Sequence, residues 1–207
     1  PSGDNSRWAP SGMHELGDAL QWAAESNLTH SDAWLFQLGA WHAGRDEIDK
    51  AIDTLRQSDD DRARALLGRL YRRHKQDAIA AANALRAIVD KAFALHPQVV
   101  VERDIALADL GPETLDERQS WLEAVSALED EWVLERRAAW LADKKDFDQA
   151  RKLLTSTPFQ LVHQRYARGK LWQRIKTELD ITQPDKANWL GEDDLAQFGA
   201  YREYQED

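Results

Sequence analysis

The first place to look for chemistry in this 207-residue chain is its six histidines, His14, His30, His42, His74, His96 and His163. None has the spacing of a ligand set. His14 is followed by Glu15, Leu16, Gly17 and Asp18, so the second histidine four residues on, which would put two imidazoles on one helix face for zinc, is missing. His163 stands beside Gln164, Arg165 and Tyr166, where capping or bridging helices suits a histidine better than catalysis. Two acidic runs, Asp59–Asp60–Asp61 and Glu192–Asp193–Asp194, gather carboxylates. Both directly precede an apolar helix start, where negative charge complements exposed amide groups, and neither has the alternating ligands and intervening glycine of a hard-cation loop. No Gly-rich phosphate loop follows a strand pattern, and no serine is framed as a nucleophile elbow. With no cysteine, disulfides, thiol catalysis and thiolate metal sites are excluded together. The expectation is a chain without catalytic residues, cofactor or metal.

The elements that would position any such residues read as helices throughout. Apolar residues recur at i, i+3, i+4 and i+7, and no sustained alternation of Val, Ile and Thr occurs. Over 61–74, Ala63, Leu66, Leu67, Leu70 and Tyr71 form one stripe, with Arg62, Arg69 and Arg73 opposite. A helix from Ser31 carries Trp34, Leu35, Leu38 and Trp41 as core. Another begins near Pro112, where Thr114 and Glu117 have capping-box spacing. The predicted helices are 11–26, 31–43, 46–57, 61–74, 77–95, 98–109, 113–128, 130–143, 146–155, 159–167 and 170–179, with a short one after Gly191 and neighbours open to fusion. Connections of two to six residues make successive helices antiparallel neighbours.

A hydrophobic content of 43% beside 31% charged residues is enough to bury a core. No apolar run approaches a membrane span, and PSGDNSRWAP has neither the basic start nor the apolar stretch of a signal peptide, which leads to an expected cytoplasmic location. The missing initiator methionine gives the chain the look of a fragment. A net charge of −10 argues against nucleic acid as partner. The charge also alternates in blocks, with six bases and no acid over 62–75, eleven acids to two bases over 102–135, eleven bases to three acids over 136–176, and nine acids to two bases over 177–207. Such blocks can pair within the fold or face a partner, and a solvated, self-complementary surface is the simpler expectation.

Three segments resemble one another: LFQLGAWHAGRDEIDKAIDTL, ARALLGRLYRRHKQDAIAAANAL and LERRAAWLADKKDFDQARKLL. In each, a small residue (Gly39, Gly68, Ala138) lets two helices approach while larger apolar residues fill the gap. All three are similar to the tetratricopeptide repeat, and KAFALHP, ending at Pro97, resembles the close of such a unit. The spacing from Gly39 to Gly68 is 29 residues, shorter than the family's 34, so the repeats are degenerate. The fold this implies is an all-α, right-handed superhelix of antiparallel hairpins, with another α-solenoid or an irregular helical bundle as alternatives. Residues 1–10 are expected to be a flexible segment, 11–180 the helical array, and 181–207 a tail whose short helix packs on it. TPFQLVHQRYARGKLW and LGEDDLAQFGAYREYQED also resemble the tail of large bacterial proteins in which an uncharacterised mutarotase-like β-sandwich precedes a tetratricopeptide array.

The function this resemblance implies is a non-catalytic scaffold that holds a protein or peptide, or a preceding domain of its own chain, in a groove lined by the first helices of the hairpins. Repeat position nominates Gln37, Arg64, Tyr71 and Arg137 for that groove, with His163 and Arg165 from the distinctive tail string. The alternative is an accessory C-terminal domain of a carbohydrate-binding or carbohydrate-active protein, and a third reading is a structural spacer or homodimer. Among the nine tryptophans, Trp34 with Trp41 and Trp132 with Trp140 are expected in hairpin cores, and Trp8, Trp172 and Trp189 nearer the surface.

Overall fold

The computed structural model describes residues 12–26, 31–157 and 165–180. All regular structure among them is helical, as the periodicity requires: α1 (Gly12–Glu25), α2 (Ser31–Gly44), α3 (Ile48–Leu55), α4 (Asp61–Leu70), α5 (Ala78–Arg86), α6 (Lys91–Ala94), α7 (Pro97–Leu110), α8 (Leu115–Ala124), α9 (Glu131–Asp143), α10 (Phe147–Ser156) and α11 (Arg165–Glu178). The chain falls into two compact units, 1–94 and 95–207. The expected N-terminal segment and the tail with its short helix after Gly191 lie outside the described residues, as do Trp8 and Trp189.

In the first unit, α1, α2 and α3 pack in succession, and α4 pairs with α5. Gly39 and Gly68 set the closeness of the two hairpins: a Cβ on Gly39 would overlap the Leu55 side chain, and one on Gly68 would lie 2.6 Å from Leu85 Cγ. Leu55 and Leu85 are at most 1% exposed in those positions, and burying each stabilises the hairpin by roughly 2 kcal/mol. Each first helix ends in a left-handed residue, Asp46 (φ 61°) and Gln76 (φ 52°). The amide after it turns back to the helix, Glu47 N–H to His42 O at 3.0 Å and Asp77 N–H to Tyr71 O at 3.1 Å. The turn of the second hairpin falls eight residues after its glycine instead of seven. That extra residue is absorbed by a π-helical turn, Tyr71–Lys75, which continues α4.

Acidic residues in the first turn of one hairpin hold the loop that leads into the next. The Asp32 carboxylate accepts the Asp59 N–H at 2.9 Å, and its carbonyl accepts the Ser58 hydroxyl at 2.9 Å. Asp61 accepts from Val89 N–H at 3.0 Å and Asp90 N–H at 2.6 Å. The helix expected over 77–95 is therefore interrupted: it stops at Arg86, its following loop is gripped by Asp61, and a fresh turn starts at Lys91 with Asp90 accepting from Ala92 N–H. Asp60 caps α4 through the Arg62 N–H at 2.8 Å, the role expected for the 59–61 run.

In the second unit, α9 packs on α7, α8, α10 and α11. One core gathers Val100, Val101, Leu122, Val125 and Val133, with Trp121, Trp132 and Trp140 against it. A second gathers Ala138, Ala142, Ala150, Leu154, Trp172 and Ile175. The α9–α10 hairpin repeats the geometry of the first unit: Lys145 is left-handed (φ 69°), and Asp146 N–H returns to Leu141 O at 2.9 Å. Gly111 ends α7 and Pro97 opens it, as read from the sequence. Thr114 does not form the expected capping box. Its hydroxyl donates to Leu107 O at 2.7 Å, and Pro112–Thr114 forms a short 3-10 turn before α8. Of the predicted neighbours 159–167 and 170–179, which were open to fusion, the described part forms one helix, α11, that runs through Gly169.

Two tryptophans depart from expectation. Trp34 is 38% exposed on α2, because the hairpin core there is formed by Leu38 and Gly39 with Leu55. Trp172 is only 5% exposed, as part of the α9–α11 core.

Candidate interaction faces

Charge is the unusual content of the second unit. Asp104 on α7 is fully buried, and its carboxylate accepts from Arg118 Nε of α8 at 2.8 Å and from Arg136 Nε of α9 at 2.6 Å. Arg118, 2% exposed, also donates from Nη1 to Asp143 of α9 at 2.9 Å, and Asp143 accepts from Arg174 of α11 at 2.6 Å. One connected set of two carboxylates and three guanidiniums thus links four helices. Burial raises the Asp143 pKa, but the hydrogen bonds from Arg174 and Arg118 outweigh it and hold this carboxyl below its ordinary value. Beside this set, Arg103 lies 3.7 Å over the Trp121 ring. Glu135 of α9 sits 3.3 Å from Arg168 of α11, both buried. Burial pushes the Glu135 carboxyl up to about 7, against the pull of Arg168 and Arg136.

These residues, absent from the sequence-based candidates, lie in the blocks of alternating charge. The acid-rich block supplies Asp104 and Glu135, the base-rich one Arg136, Arg168 and Arg174. Block complementarity was the available signal. It did not show that the pairs are buried rather than solvated.

The first unit holds three of the nominated groove residues. Gln37 is exposed on α2, on the side bearing Ala33, Ala40 and Gly44 and away from the buried Leu38. Arg64 is engaged at the start of α4 by Asp59 at 2.8 Å and Asp61 at 2.7 Å. Tyr71 is 9% exposed, and its hydroxyl accepts from Arg56 Nε at 2.6 Å. Beside Gln37, Phe36 lies 4.7 Å beneath the Arg62 guanidinium, and Trp34 is partly open. Arg137, half-buried on α9, belongs to the other unit. His163 and the Arg165 side chain lie outside the described residues.

The histidines that are described carry no metal geometry. His42 Nδ1 is 2.7 Å from Glu47 Oε2 across the α2–α3 turn, and that bond lowers the Glu47 pKa. His74 and His96 are exposed. Among the described residues no three His, Asp or Glu side chains converge as a metal site, and no helix is long and apolar enough to cross a membrane.

Paired helices meeting at a small residue, a left-handed turn after each first helix, and repetition of that unit define an array of degenerate tetratricopeptide-type hairpins. A crystal structure of a TPR-domain containing protein from Parabacteroides distasonis ATCC 8503 is similar, with a TM-score of 0.78 and 44% sequence identity over 86% of this chain. The chain spans 31% of the length of that protein. The family whose model matches is described as a C-terminal domain; the match covers residues 1–175, and the chain belongs to that family. No curated protein matches the sequence.

Proposed function

We propose that this helical-repeat chain is a non-catalytic scaffold that binds a protein or peptide on the exposed side of α2. The observation that carries this is the contrast between charges and aromatics. Asp104, Arg118, Arg136 and Asp143 are tied to one another, whereas Trp34 and Gln37 stand open next to the Phe36–Arg62 pair. An aromatic and an amide set among small residues offer apolar contact and hydrogen bonds to an extended segment without requiring the scaffold to rearrange. Arg64 and Tyr71 support that face by fixing the start of α4 and the α3–α4 packing. Arg137, His163 and Arg165 are kept as candidates for a separate contact on the second unit. The test is affinity capture from extract of the producing cells with wild type, Trp34→Ala and Gln37→Glu as baits, all of matching helicity. A defined protein retained by wild type and lost from both variants supports the reading, and equal retention by all three overturns it.

The family description favours a second reading, in which the array is an accessory module held against an upstream part of a longer chain. In that case a recombinant upstream portion binds the array, and Trp34→Ala weakens the binding. Whether such a portion acts on carbohydrate is decided by its own residues.

A further inference from the structure

The two sides of α1 differ in what they meet. Gly17, Leu20 and Ala23 recur every three residues and are buried. Gly17 lies so close to α2 that an added Cβ would overlap the Trp41 ring, which makes this row the seam of the α1–α2 pair. Among the described helices, α1 packs substantially on α2 alone. The helices that follow are enclosed from more than one direction: α2 packs on α1, α3 and α4, and α4 packs on α2, α3 and α5.

The outward row of α1 is apolar. Leu16 is 50% exposed and Trp22 66% exposed, and the exposed Ala19 stands between them at the same three-residue interval. Side chains three residues apart are neighbours on a helix surface, so these form one row about 9 Å long. The outermost helix of a stacked array ordinarily turns a polar face to solvent, because no further repeat covers it. Here it turns a tryptophan outward, which marks a face built to be covered.

Charge selects the occupant. Asp18, Gln21 and Glu25 run alongside the apolar row, all exposed, with Gln21 hydrogen-bonded to Glu25. No basic residue lies between Leu16 and Ser26. The α1 helix of a second copy would set Asp18 and Glu25 against their like, and no other described helix carries two exposed large apolar residues to offer a matching seam. We propose that the outward face of α1 docks a helix of a partner protein whose apolar seam is flanked by Lys or Arg. Trp22 anchors the seam, and Asp18 and Glu25 meet the flanking cations, as charges beside a coiled-coil seam set the choice of partner. This face does not depend on the role proposed for the exposed side of α2.

Two fluorescein-labelled synthetic helices serve as probes, each with a leucine seam, one flanked by lysine and the other by glutamate. Their binding to the whole chain is read by anisotropy at physiological ionic strength. The variants are Trp22→Ser, Asp18→Lys/Glu25→Lys and, as a control, Ile79→Ser, which removes an equally exposed apolar side chain from α5. All four proteins are matched in helicity by circular dichroism. Wild type binds the lysine-flanked helix saturably, Trp22→Ser weakens it at least tenfold, and Ile79→Ser changes it less than twofold. Asp18→Lys/Glu25→Lys reverses the preference toward the glutamate-flanked helix. The proposal is overturned by no saturable binding to wild type, by equal losses in Trp22→Ser and Ile79→Ser, or by equal binding of the two probes. It is also overturned if sedimentation velocity shows a wild-type dimer that Trp22→Ser dissociates, since a second copy would then cover the face.

Discussion

Asp104→Asn removes one charge from the centre of the buried set while keeping the side chain's shape. Asp104 is 0% exposed and Arg118 2% exposed, so water cannot replace the lost partner. The carboxylate accepts from Arg118 Nε at 2.8 Å and Arg136 Nε at 2.6 Å. An asparagine can offer one oxygen to one guanidinium and must turn its NH₂ toward the other. Hydrogen bonds to charged groups contribute about 1.5–3 kcal/mol each, and removing one partner of a buried pair costs about 3–5 kcal/mol. The expected loss is therefore about 3–5 kcal/mol, or a fall in melting temperature of more than about 10 °C for a unit of this size. Urea unfolding followed by circular dichroism measures the loss, and hydrogen exchange on peptides from α7, α8 and α9 assigns it to the second unit. The companion variant Asp104→Leu/Arg118→Met/Arg136→Met removes the desolvation cost along with the attraction and should recover most of the stability. A loss below about 1 kcal/mol for Asp104→Asn would refute the argument that these charges are shielded from water and mutually dependent.

Two further outcomes are expected. Glu135 binds its proton more tightly folded than unfolded, so its contribution is fully present below pH 4.5 and is lost as pH rises through about 7. Relative to Glu135→Gln, wild type should lose of order 3 kcal/mol between those limits, and parallel stability–pH curves for the two would contradict it. Deleting His74 takes one residue out of the π-helical turn and restores the seven-residue interval from glycine to turn seen in the first hairpin. The deletion variant should keep its helicity and lose no more than about 1 kcal/mol, whereas loss of cooperative unfolding would show that the bulge is needed for the hairpin.

Most of the helices and the hairpin logic were legible because they rest on short-range signals. Gly39 and Gly68 marked the close approach, Gly111 and Pro97 the helix ends, and Trp132 with Trp140 a shared face. What was not legible came from longer range. The stop after Arg86 depends on Asp61, almost thirty residues earlier, reaching Val89 and Asp90, and nothing in the local sequence from 77 to 95 announces it. The π-helical turn keeps the apolar stripe nearly in phase, so periodicity over 61–74 shows a plain helix. Among the groove candidates, repeat position nominated Gln37, which is exposed on α2. It could not foresee that Asp59 and Asp61 would engage Arg64, or that Arg56 would meet Tyr71. Asp104 and Arg118 read as solvated because charged side chains mostly are; only their shared three-dimensional address makes them interior.

The grip of Asp32 on Asp59, and of Asp61 on Val89 and Asp90, bears on how the first unit comes apart. Each loop's amide anchor belongs to the hairpin before it, so a hairpin lifted out without the loop that follows leaves its own carboxylate facing solvent and leaves that loop without its anchor. Coupling between repeats is thus concentrated at their boundaries and runs in one direction along the chain. Fraying of the first turn of α4 should release the 88–90 loop together with it, so that openings travel forward, hairpin by hairpin, and the smallest piece that can be exchanged or duplicated without a seam is a hairpin together with the opening turn of its neighbour.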